Sequence, residues 1–230
     1  MGLEVAGDVA MILPLPVSPG SAEDAVRFLD LSGYPELFRH LSAGFPMAAS
    51  LGSPPRRGPA MGAVPRLEVH QVGDFEASFV PAQKDFARLD ERFRLPPDTW
   101  KKLPAYADWG FAVFKLRTSS KVGRFFGRKE KRDYHPMAFD FPRRDPSRLF
   151  FPTVHIHDGD VHATARFDHT LFLQAAGDRA IVDGWDASYA QATFFASADR
   201  AKGILDGAGL VFRKLLVGEM ANEDVVVDVT

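Results

Sequence analysis

Apolar runs in this chain are short, and each one is soon interrupted by a proline, a glycine or a turn dipeptide. With 17 Pro and 19 Gly among 230 residues, the chain has few places for a long helix or a wide, uninterrupted strand. Proline fixes φ and removes a donor, and glycine supplies the positive φ that tight turns need. The longest apolar stretch, Val9 to Val17, already contains Pro14 and Pro16 and is too short to span a bilayer. Asp8 to Val17 is therefore predicted to be a buried strand ended by Pro16 and Pro19.

The same punctuation organises the rest of the chain. Ser21 followed by Asp24 resembles a capping box and predicts a helix carrying Ala25, Phe28 and Leu29 on one face. A second short helix is predicted over Pro35 to Leu41. Pro46 to Pro65 holds five Pro and three Gly around Arg56-Arg57, so it reads as a flexible loop. Leu67–Val72 and Phe75–Val80 flank Gly73-Asp74 as a hairpin. Helical period over Gln83 to Phe93 places Phe86, Leu89 and Phe93 together, and Pro96-Pro97-Asp98 starts another short helix. Trp109–Leu116, His135–Phe141 and Leu149–His157 are strand-like. Ser197–Leu205 is predicted to be helical, and Leu210–Val217 with Val225–Val229 a final antiparallel pair. Strands in consecutive groups, interrupted by helices, define an α+β class: a mainly antiparallel sheet of hairpins with several short helices packed on it. The expectation is one domain over residues 1–230 with the flexible loop at 46–65.

Composition narrows the chemistry. The 46% hydrophobic content and 20 Phe suffice for a substantial core. A formal net charge of −2 argues against bulk attraction to nucleic acid or acidic membranes. The absence of Cys removes disulfides, thiolate catalysis and Cys-ligated metals. Glu4 and Asp8 precede the first apolar run without any Lys or Arg, unlike a secretory leader. A cytoplasmic protein without a transmembrane segment is expected.

Three of the seven histidines fall within eight residues: His155, His157 and His162. Asp158-Gly159 between them is a two-residue turn signal that pairs His155 with His162. In that register one face carries Val154, Ile156, Val161, Ala163, Ala165 and Phe167, and the other carries the three imidazoles. Opposed Cβ atoms lie roughly 4.5–5.5 Å apart, near enough for three rings to share zinc or another divalent transition metal at about 2.0–2.1 Å. Asp160 or Asp168 is placed to orient a ligating ring from behind. A three-residue loop would turn His162 to the other face, so the site depends on register. The metallo-β-lactamase signature His-x-His-x-Asp-His is not met, because Gly159 stands where its Asp belongs. A hairpin face wetted by solvent accounts for the same residues without a metal.

Between Lys115 and Arg148 there are eleven Lys or Arg against four Asp or Glu, a local charge of +7. At its centre Lys121, Arg124, Phe125, Phe126, Arg128, Lys129 and Arg132 interleave cations with aromatic rings, a composition suited to a polyanion or a protein partner. No Gly-x-Ser-x-Gly elbow, dinucleotide fingerprint or P-loop is present. His135 and His169 share strand faces with apolar residues and are expected to be packed. Without a complete catalytic motif the chain points first to an interaction or assembly domain that binds a macromolecule. That partner is expected to be a protein, with nucleic acid or another polyanion at the basic loop as a further candidate. The alternative is a metal-dependent hydrolase or related enzyme centred on the three histidines.

Overall fold

The computed structural model describes residues 10–45, 70–89, 97–116, 135–156, 161–175 and 184–228. Antiparallel strands far outweigh the short helices, so the architecture is closer to all-β than an even α+β mixture. Two compact units make up the chain: Met1–Asp30 with Gly52–Arg144, and Leu31–Leu51 with Asp145–Thr230. The Pro/Gly-rich stretch at 46–65 lies outside the described residues.

The first unit is a four-stranded antiparallel sheet plus a two-stranded ribbon. The sheet runs β1 (Ala10–Leu15), β5 (Gly110–Leu116), β4 (Phe75–Val80), β3 (His70–Val72), and the ribbon joins β2 (Arg27–Asp30) to β6 (Met137–Asp140). Opposite residues on β4 and β5 alternate in size, with Ala77 across from Phe114 and Phe79 across from Ala112. Placing a small side chain opposite each large ring lets the two strands share one layer of the core. The ribbon brings Phe28 and Phe139 to within 5.4 and 5.6 Å of the Phe114 ring, closing that face of the sheet. On the opposite parity Phe111 meets Phe86, from a 3-10 turn at Gln83–Arg88, and Trp100, from α2 (Pro97–Lys101). Both faces of the central strands are thus covered, which explains their nearly unbroken burial.

In the second unit a three-stranded antiparallel sheet runs β8 (Thr164–Leu173), β10 (Leu210–Ala221), β9 (Asp186–Gln191), and a separate ribbon pairs β7 (Arg148–Phe151) with β11 (Val225–Asp228). Leu173, Phe212 and Val227 form the core between them, with Leu149, Phe151, Trp185 and Val225 packed against it. The helix α1 (Leu37–Ala43) belongs to this unit. Its anchor is Tyr34, whose fully buried hydroxyl accepts the Ser197 N–H at 2.8 Å and bonds His40 Nδ1 at 3.0 Å. Arg200 lies 4.3 Å over the Tyr34 ring and donates to the Gly33 carbonyl.

Several expectations give way to local chemistry. The Ser21 helix is replaced by turns leading into β2, because the Ser21 hydroxyl bonds back to the Ser18 carbonyl and Phe28 is drawn into the ring cluster. Only a 3-10 turn forms at Gln83–Arg88, after which Leu89 is extended. Ser197–Leu205 makes successive turns, since Lys202 (φ 50°) and Gly203 (φ 87°) are left-handed and end any helix. β10 and β11 each take a different partner from the one expected.

Candidate functional site

The two arms that carry the histidines enter different ladders: β7 pairs with β11, and β8 with β10. Side chains from the bend between β10 and β11 take over the backbone of residues 153–155. Asp224 accepts the N–H groups of Thr153 and Val154, at 2.8 and 3.2 Å, and Asn222 accepts that of His155 at 2.8 Å. The Asn222 amide then donates to the carbonyls of both His155 and His162, at 3.0 Å each. A side-chain clamp therefore holds the two arms where a direct His155–His162 ladder pair was expected. The polar run Asn222-Glu223-Asp224 was its sequence signal.

On β8 the parity of Ala165, Phe167, His169, Leu171 and Leu173 faces inward, with Phe167 and Leu173 buried. His155 lies along this face, its ring stacked 4.5 Å from Phe167 and tilted 29° to it. Its Nε2 is 3.1 Å from Nε2 of His169. The Nδ1 atom of His169 is buried with no hydrogen-bond partner. His169, which strand parity marks as a packed residue, is thus the residue that meets His155.

His162 is exposed, and Asp168 projects from the outward parity of β8 opposite Val217. His157, Asp160 and the whole basic set of Lys121, Arg124, Phe125, Phe126, Arg128, Lys129 and Arg132 lie outside the described residues. Among the described residues no three His, Asp or Glu side chains converge as a metal cluster. His135 is a core histidine: Nε2 accepts the Asp74 N–H at 2.9 Å, so the ring proton sits on Nδ1 and is donated to the Pro136 carbonyl.

The outward face of the β8–β10–β9 sheet is covered unevenly. At one end Phe172 meets Phe38 and Phe45, and Arg213 lies 4.5 Å over Phe45 while it pairs with Asp186. Further along the same face Leu215, opposite Thr170, is 49% exposed and Val217, opposite Asp168, is 66% exposed. Phe38, at the margin of the covered part, is 55% exposed. The sequence reading of Leu210–Val217 as one strand of a final antiparallel pair did not indicate which part of its outer face would stay open.

No protein-family model matches the chain, and neither a curated protein nor a solved structure resembles it significantly. Among the described residues no helix is long and apolar enough to cross a membrane.

Proposed function

We propose that this protein is an interaction or assembly module that docks another protein on the outward face of β8 and β10. The observation that supports this reading is the adjacent exposure of Leu215 and Val217, continuing the apolar surface that α1 covers at the Phe172 end. An isolated exposed apolar side chain is ordinary, whereas neighbouring ones on an open sheet face favour a contact. Arg166, Asp168 and Glu219 fringe the strip with mixed charge. That fringe suits a protein surface with apolar side chains at its centre better than a polyanion.

A photo-crosslinking residue at position 217, introduced in the native cell, should capture a defined protein. The purified pair should then associate, and Leu215→Asp or Val217→Asp should weaken the complex at least tenfold while leaving the fold intact. Unchanged affinity in both variants would remove the support for this face.

A further inference from the structure

We propose that His155 and His169 form a binding site for a divalent transition metal of the zinc, copper or nickel class, open to exogenous donors. The two Nε2 atoms are 3.1 Å apart. Two nitrogens at about 2.0–2.1 Å from one tetrahedral ion are separated by about 3.3 Å. A metal therefore fits between the rings after a shift of a few tenths of an ångström, and imidazole is a ligand these ions favour.

Both rings are positioned before any ion arrives. His155 is held at its backbone N–H and carbonyl by Asn222 and stacks on the buried Phe167. His169 is fixed in the β8 ladder opposite Leu216. The rings come from segments 14 residues apart in sequence, so a bound ion would cross-link residue 155 to β8. Both residues are only partly buried, and water would complete the coordination of a bound ion.

The metal-free pair is joined by one Nε2–H···Nε2 hydrogen bond. In the metal form both Nε2 lone pairs face the ion and each neutral ring carries its proton on Nδ1. The ring that donated therefore changes tautomer, with no net proton released. At His169 that Nδ1–H is buried with no acceptor. Losing the acceptor behind a ligating ring usually costs about 10–100-fold in metal affinity, so binding weaker by that factor than at a fully backed pair is expected here.

The test is zinc or cobalt(II) titration of the untagged full chain, read by calorimetry and by the nitrogen shifts of the histidine rings. One equivalent should bind, with the Nε2 signals of His155 and His169 moving together. His155→Ala and His169→Ala should each weaken binding at least tenfold, and His162→Ala should leave it within twofold. Ring-nitrogen shifts in the unmodified protein read the site directly, whether or not a variant folds. The proposal is overturned if millimolar zinc leaves both ring signals unmoved, or if binding survives loss of His169 but not of His162.

Discussion

A Cβ placed on Gly73 would lie 2.1 Å from Nε2 of His135, the atom that accepts the backbone N–H of Asp74. The turn between β3 and β4 and the histidine 61 residues further along are thus built against each other. Gly73 also has φ +56°, in the left-handed region that suits the first central position of a two-residue hairpin. Gly73→Ala combines left-handed strain with displacement of the acceptor, and should destabilise the protein by about 2–4 kcal/mol. Denaturant unfolding followed by tryptophan fluorescence measures this, and an unshifted midpoint would contradict the packing.

His135→Phe keeps a ring of similar size and leaves the Asp74 N–H without its acceptor. A loss of about 1–3 kcal/mol is expected. The Asp74 amide should then exchange with solvent faster than its neighbours on β4.

Asn222→Ala removes three hydrogen bonds at once, those to the His155 N–H and to the carbonyls of His155 and His162. A cost of about 1–2 kcal/mol is expected for this partly exposed clamp. Hydrogen exchange should accelerate at the His155 amide, while amides paired between β8 and β10 keep their protection. Equal acceleration of both would mean that the clamp is part of the sheet's cooperative unit.

Turn chemistry and strand period made much of the fold legible in advance. Gly73-Asp74 marked the β3–β4 hairpin, and the apolar runs at Trp109–Leu116 and His135–Phe141 contain β5 and β6. Long-range partner choice was not encoded in any local pattern. Val225–Val229 is a short apolar run that suits pairing with β10 or with β7 equally, and in the structure Asn222 and Asp224 reach across to residues 153–155 beside the β7 pairing. The packed state of His135 followed from the apolar parity of its neighbours. The meeting of His155 with His169 did not, because it needs a segment outside any ladder to lie along the inward face of β8. The open outer face of β10 was hidden for a similar reason: a covering helix from residues 37–43 is not visible from the strand itself.

Glu36 gives a pH signature. Its carboxylate is bonded first by its own backbone N–H and then by Arg200, and these hold it below the usual glutamate range. The folded value lies below the unfolded one, so the stabilisation is present above the unfolded value and fades as pH falls through the folded value. Glu36→Gln should lower stability at neutral pH, leave it nearly unchanged at the acid end where the carboxyl is already protonated, and so flatten the acid limb of the stability profile. Thermal melts at several acidic pH values check the slope.

If the basic stretch contacts a polyanion, the protein should be retained on heparin at low ionic strength, with a steep dependence on salt. Replacing Arg124, Arg128, Lys129 and Arg132 by Ala should reduce that slope. Absence of retention in the unmodified protein would argue against a polyanion partner.

Tyr34 and Ser197 are 163 positions apart. A ribosome adding about 5–20 residues per second takes on the order of 8–30 s to travel from one to the other. During that interval Tyr34, Leu37, Leu41 and Phe45, all buried in the finished protein, have emerged before the strands and turns that cover them exist. The nascent chain therefore carries an uncovered oily segment through most of its synthesis. Translation speed and chaperone supply should therefore affect how much of this protein reaches its native state.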